Sequence, residues 1–493
     1  MAGRLLAATL LASLGLLALA GCGDTGAAKP ARAVGWPQPN GDDASTRAVP
    51  GPAAPATADR LRVRWRFRLR GEPGFSGIDA ATPVVADGRV YLQDLNSDVY
   101  ALSLADGHLL WRHPYGRPDG GPNGVAVANG VVYGNTDTSA FALSARTGVE
   151  RWRTRLTRQG NPVTIAPLVA NGLVYTSSTG QSPGGRGTLF ALDAKTGAVR
   201  WRFDTIVGPW RFPREASGGG AWHPPSVDAD GRIYWGTANP YPWGGSRARP
   251  NGGMYPGPVR HTDSLLVLDG RTGKLIWSDQ VTPHDVRDYD FQLPPLLAGD
   301  LVVGAGKAGR VIAWDRSTGT RRWETAVGIH RNDRGPLPKR PALVCPGLLG
   351  GVETPMASAD GRVFVPVVDL CFRESAYGTS GLKFYATDYS KGTGELLALE
   401  ASSGRRLWAR RFGSPNFGCA TVAGGVVYTA TYDGRVYGLS TESGSIVARA
   451  RMRAGVNACP AVAGNTLLVG AGADHPDFPA PVFELVAYRM PEG

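Results

Sequence analysis

Charge is scarce in this chain: only 19% of its 493 residues are charged, and it has just 5 Cys and 5 Met. A helix-compatible composition is missing too, because 68 Gly and 38 Pro would interrupt helices throughout. The glycines have no three-residue period, which excludes collagen. Low charge together with 42% hydrophobic residues, 13 Trp and 14 Phe excludes a disordered chain. The net charge is +12, yet no Lys/Arg run resembles a nucleic-acid arm, so nucleic acid is not expected as a partner. Scattered basic residues fit a surface near anionic lipid headgroups more simply. No CxxCH sequence occurs, so covalent c-type haem attachment is excluded. What remains is a large, turn-rich, all-β protein.

One stretch is long and apolar, residues 5–19, preceded by Arg4. It is short for a membrane span of about 20 residues and reads as the core of an export signal. It ends in Leu19-Ala20-Gly21-Cys22, which resembles the lipobox of bacterial lipoproteins. That resemblance implies a signal peptide over 1–21, acylation of Cys22, and an extracytoplasmic protein held at the bacterial cell membrane. Residues 22–60, rich in Gly, Ala, Pro and Asp, read as a flexible tether, with the folded domain over 61–493. Four cysteines are left once Cys22 is set aside. In an oxidising compartment that even number implies two disulfides.

A single repeat dominates from Leu61 onward: a β-branched or aromatic strand, a turn, a strand of ALD type, a Gly turn, and a strand carrying Trp. Its copies end at Trp111, Trp152, Trp201, Trp277, Trp323 and Trp408, and a worn copy has Ala448 in the Trp place. Gly lies four residues before each such position, from Gly107 to Gly444, as a tight hairpin requires. One antiparallel sheet of about four strands cannot bury both its faces alone, so the copies must stack around an axis. Segment 62–69 carries Trp65 without preceding strands, and the C-terminus has inner strands without a final Trp. Joined, these make one more unit. The expected fold is therefore an eight-bladed β-propeller closed by N- and C-terminal strands sharing one blade.

Two repeats are stretched, between Trp201 and Trp277 and between Trp323 and Trp408. Inserted loops are where binding residues gather. The first insertion holds AWHPPSVD (Trp222, His223), GTANPYPWGG (Asn239, Trp243) and VTPHDVRDYD (His284, Asp285, Asp288, Asp290). Asp288 and Asp290 share a face in extended backbone, and with the Asn239 amide oxygen they suit a hard cation such as Ca²⁺. Asp285, Asp288 and Asp290 also suit solvated turns. His223 and His284 lack partners at zinc-ligand spacing, and no nucleophile elbow supports Ser–His–Asp hydrolysis.

The repeat, exemplified by ALDAKTGAVRW, looks like the tryptophan-docking repeat of the quinoprotein alcohol dehydrogenases, propellers that bind pyrroloquinoline quinone (PQQ). Related propellers, including the lipoprotein of the outer-membrane assembly machinery, use this repeat without a cofactor. The resemblance runs from about Trp36, in GWPQPNGDDASTR, to the C-terminus. GTANPYPW is similar to the motif whose Asn binds metal, which implies that role for Asn239. AWHPPSVD resembles the segment whose Trp stacks on PQQ, here Trp222. TPHDVRDYD resembles the TPHDxWDxD motif, which implies Asp288 as catalytic base and metal neighbour, and Asp290 as a ligand of the lanthanide type. GAGKAGRVIAWDR resembles the segment whose cation bonds the quinone oxygens, here Lys307. Cys345 and Cys371 resemble a disulfide of the family. Cys419 and Cys459 occupy one position in successive repeats, which makes a bridge between them geometrically plausible.

The implied activity is oxidation of an alcohol or sugar hydroxyl with PQQ and a Ca²⁺ or lanthanide ion, with the electron acceptor unassigned. The alternative is a non-catalytic propeller that serves as a ligand-binding or protein-interaction scaffold. The sequence departs from the family pattern in three places. Arg287 replaces the motif's Trp, the loop SSTGQSPGGRG offers Gln181 and Ser182 where a metal-binding Glu belongs, and no adjacent Cys pair lies near Asn123 and Gly124.

Overall fold

The structure is a computed structural model that describes residues 35–490, apart from 52, 56–58, 70–80, 182–184, 207–216, 253–258 and 379–388. The expected signal peptide and Cys22 lie outside the described residues, as does Ser182. Among the described residues no helix is long and apolar enough to cross a membrane.

The sheets are antiparallel and built on the repeat. In the first, Val84–Ala86, Arg89–Gln93, Val99–Ser103 and Leu109–His113 pair in chain order. Each Trp strand is outermost, and its indole reaches the next sheet. Trp111 Nε1 donates to the Ala145 carbonyl at 3.1 Å, Trp152 to Ala194 at 3.0 Å, Trp201 to Gly270 at 2.8 Å and Trp323 to Ala401 at 3.0 Å. The fixed glycine therefore has two reasons. Gly404 has φ +70°, which a side chain rarely adopts, and a Cβ there would lie 2.4 Å from the Trp323 ring.

The expected eight-bladed propeller is corrected: among the described residues seven four-stranded sheets form the blades, while the remaining repeat, Thr421–Arg451, forms a sheet of six strands. Its added strands come from the N-terminal segment: Ala48–Val49 pairs parallel with Val422 and Ala423, and Asp59–Arg60 with Ala448 and Arg449. The reason lies in the worn repeat. Ala448 offers no indole to dock on the next sheet, and Asp59–Arg60 pairs the outer strand there instead. The chain then runs directly into Arg62–Arg68, which pairs with the C-terminal strand Glu484–Arg489.

The tether expected up to residue 60 is likewise corrected. Trp36 and Arg47 are fully buried. Segment 36–47 crosses one end of the axis and bonds the first strand of one sheet after another. Val127 N–H donates to the Pro37 carbonyl, Val227 to Asp43, Leu297 to Ala44, Ser358 to Thr46 and Val422 to Arg47, all at 2.7–3.0 Å. The Arg47 guanidinium uses all five N–H groups, on the carbonyls of Pro39, Ala420 and Pro460, the Asn40 amide oxygen and the Thr421 hydroxyl. A polar, glycine-containing segment looks like a linker in sequence. Its backbone groups are bound here because the sheet ends present a ring of unpaired partners.

Candidate functional site

The residues that precede each first strand lie at the opposite end of the axis from segment 36–47. There they line a cavity of about 450 Å³. Trp222 and His223 come from the turn before Ser226–Val227, Glu353 and Thr354 from the turn before Ala357–Ala359, and Cys459 from the approach to Ala461–Ala463. Lys307 follows the second strand of its sheet, Leu301–Gly306. Apolar walls are added by Tyr241, Trp243, Leu349 and Phe417.

The cavity floor is charged. Asp288 sits at φ +65°, a left-handed conformation that is unusual for a side-chain-bearing residue. The Asp285 carboxylate holds this turn by accepting the backbone N–H groups of Arg287 at 2.8 Å and Tyr289 at 2.6 Å. Lys307 Nζ lies 2.9 Å from Asp288 Oδ2 and 2.6 Å from Asp290 Oδ2. Asn239 binds both aspartates: its side-chain amide donates to Asp288 Oδ1 at 2.6 Å, and its backbone N–H to Asp290 Oδ1 at 2.7 Å. All five residues named from the sequence are thus brought together. Trp222, Asp288 and Lys307 face the cavity, with the fully buried Asn239 and Asp290 bonded to them.

Electrostatics follow from burial. Removal from water pushes the Asp288 carboxyl up, and Lys307 only partly opposes this. For Lys307 burial works against the charge, but Asp288 and Asp290 more than reverse that effect and keep the ammonium charged. The imidazole of His223 is lowered to about 3 by burial and by Arg47 beneath it, so it is neutral.

Sequence reasoning missed Glu353. Its carboxyl lines the cavity, accepts the Gln292 amide at 3.0 Å, and is pushed up to about 8 by burial. The signal was there in GGVETP, a lone carboxylate at the end of the second insertion. Arg287, which stands in the place of the motif's Trp, turns away from the cavity and donates to the carbonyls of Asn332 and Arg334. Both disulfides are present. Cys345–Cys371 has a Cα separation of 4.6 Å and closes the second insertion's hairpin. Cys419–Cys459, at 5.1 Å, links neighbouring sheets at the cavity wall.

The site has buried polar atoms without hydrogen-bond partners: Trp222 Nε1, Asn239 Oδ1, Glu353 Oε1, Thr354 Oγ1 and Asp290 Oδ2, the last in ion-pair contact with Lys307. A flat, polar-edged ligand against an indole wall fits that set and the cavity volume. A metal ion does not fit the same arrangement. Among the described residues no group of three or more His, Cys, Asp and Glu is set to hold one. The Asp288 and Asp290 carboxylates, expected as ligands, contact the Asn239 N–H groups and Lys307 instead, while the Asn239 amide oxygen has no partner. A divalent ion about 4 Å from the ammonium would meet about 8 kcal/mol of repulsion at an effective dielectric of about 20, before its attraction to the carboxylates is counted.

One family model covers most of the charged floor. The model of the glucose/ethanol/alcohol dehydrogenase β-propeller domain matches residues 156–308, which include Trp222, Asn239, Asp288, Asp290 and Lys307. This chain is similar to the quinoprotein alcohol dehydrogenases. It is 29% identical to the quinohemoprotein alcohol dehydrogenase of Comamonas testosteroni, over 89% of this chain and 72% of that protein. It is 27% identical to quinohemoprotein alcohol dehydrogenase ADH IIB of Pseudomonas putida, over 81% and 67%. The crystal structure of the Comamonas testosteroni enzyme superposes with a TM-score of 0.77 at 24% identity, covering 94% of this chain and 82% of that one, which shows the shared fold. The model of outer membrane protein assembly factor BamB matches residues 27–124 and 374–476, outside the charged floor's Asp288, Asp290 and Lys307.

Proposed function

We propose that this chain is an oxidoreductase that oxidises an alcohol or sugar hydroxyl with PQQ held in the axial cavity. The observation that carries the reading is the buried Asp288–Lys307 pair at the floor of a Trp-walled cavity. A scaffold gains nothing from an ion-paired carboxylate held in a left-handed turn, whereas a general base needs that desolvation.

PQQ, when bound, supplies the two-electron acceptor. Trp222 would hold its plane, and the Lys307 ammonium would stabilise negative charge developing on a quinone oxygen. Asp288 accepts the hydroxyl proton at its carboxylate; burial raises its proton affinity, and Lys307 opposes that and favours the ionised form. The neutral His223 adds no competing charge. The indole and phenyl walls of Trp243 and Phe417 exclude water from the reacting centre. Electrons leave to a separate acceptor. We further infer an extracytoplasmic protein acylated at Cys22, a reading supported by the Leu19–Cys22 motif and the two disulfides.

The test is dye-linked oxidation of primary alcohols and sugars by purified protein reconstituted with PQQ, compared with Asp288→Asn. Dye reduction that needs both quinone and Asp288 supports the reading. Absence of quinone binding and of dye reduction, with and without added Ca²⁺ or La³⁺, overturns it in favour of a scaffold.

A further inference from the structure

The cavity floor also determines which cation the site holds. Asp288 and Asp290 turn one oxygen each to the same ammonium, at 2.9 and 2.6 Å, and their other oxygens accept from Asn239. Three of the four carboxylate oxygens thus accept a hydrogen bond, and the fourth, Asp290 Oδ2, is held by its ion pair with the ammonium. The arrangement is built into the backbone rather than left to a free side chain. Lys307 N–H donates to the Asp290 carbonyl at 3.1 Å. Gly306 lets the two segments touch, since a Cβ there would lie 2.1 Å from that carbonyl oxygen. Lys307 is itself almost fully buried, with a side-chain exposure of 8%, so its ammonium cannot swing into solvent to make room.

We propose that the Lys307 ammonium is the resident cation of this site, bridging the two aspartates in place of a metal ion, and that the site excludes calcium and lanthanide ions. A divalent ion would have to displace the ammonium from both carboxylates while remaining beside it in a poorly screened interior. The inference rests on the quinone reading for its catalytic meaning, namely that a bound quinone is polarised by Lys307 alone. Cation exclusion itself can be measured without quinone.

The experiment titrates the purified protein with Ca²⁺ and La³⁺ by calorimetry, and with Tb³⁺ by luminescence sensitised through Trp222 and Trp243. Wild type should show no saturable site up to about 1 mM, the weak end of protein calcium sites. Lys307→Gln should open a one-to-one site at least about tenfold tighter. Adding Asp290→Asn to Lys307→Gln should close it again, and Lys307→Arg should stay closed. Tight one-to-one binding by wild type overturns the proposal, as does a folded Lys307→Gln that binds no better. Should Lys307→Gln fail to fold, wild type and Lys307→Arg decide: no binding by either supports exclusion, and binding by either overturns it. In a second arm PQQ is added in the presence of chelator. Quinone that binds there supports the proposal, and quinone that binds only with added metal overturns it. Quinone that binds under neither condition sinks the functional reading, and the metal titration alone then judges this one.

Discussion

Each end of the propeller axis holds a buried cation, Arg47 at one and Lys307 at the other, and the two are treated differently. At the closed end, Arg47 gives all five N–H groups to neutral oxygens of its own segment and of neighbouring sheets. At the cavity end, Lys307 is held by two carboxylates, and polar atoms around it remain without partners. A saturated cation is a fastener: it locks strand ends and leaves nothing for a ligand. A cation set among orphaned donors and acceptors is a site, because only a ligand can complete the set.

The largest test of this contrast is at the cavity. Asp288→Asn should lower quinone-dependent turnover by about 10²–10⁴-fold, the range of a lost general base, while the melting temperature holds or rises. A variant that keeps its turnover would make the cavity end as structural as the other. Arg47→Met should do the reverse. It strands the Ala420 carbonyl and removes four further hydrogen bonds, and should destabilise the fold by about 3–5 kcal/mol in denaturant melts, without a selective loss of turnover in the protein that remains folded.

Asp119 sharpens the comparison through pH. It precedes the Gly120–Pro122 stretch of the cavity wall, and its carboxyl is raised to about 7 by burial. Below pH 4 both folded and unfolded forms carry the proton, and stability is full. Between pH 4 and 7 the unfolded chain releases the proton while the fold retains it, so stability falls as pH rises, by up to about 4 kcal/mol. Asp119→Asn should flatten that slope and raise stability at pH 7; an unchanged slope would remove Asp119 from the imbalance at the cavity end. The smallest effect is expected far from both ends. Gly404→Ala combines a left-handed φ with a clash against Trp323, and should cost about 1–3 kcal/mol with little change in turnover per folded molecule.

Much of this was legible because it is written in local repeats. The Gly–Trp spacing records hairpins and indole docking, both of which recur every repeat. The long gaps after Trp201 and Trp323 marked the insertions that line the cavity. Asp288, Asp290 and Asn239 stood out as donors in those insertions, and the family resemblance added Trp222 and Lys307. What could not be read was anything that depends on which chain segments share a surface. Segment 36–47 has no periodicity because its partners are the ends of other sheets. Glu353 stands alone in its motif and meets Gln292 and the Lys307 cluster only through the closed ring. Arg287 was visible as a departure, but its turn toward Asn332 and Arg334 was not.

By itself, then, the sequence determined an all-β ring of Trp-docked sheets, two cysteine pairs, and an inserted loop rich in carboxylates. Hairpin turns, strand alternation and indole spacing are short-range consequences of residue type. Tertiary structure alone decided that one sheet takes two extra strands, that the apparent tether seals one end of the axis, and that Lys307 lies between the aspartates where a metal ion was expected. Those outcomes turn on unpaired backbone groups and buried charges finding partners across the ring, and such partners exist only once the ring has closed.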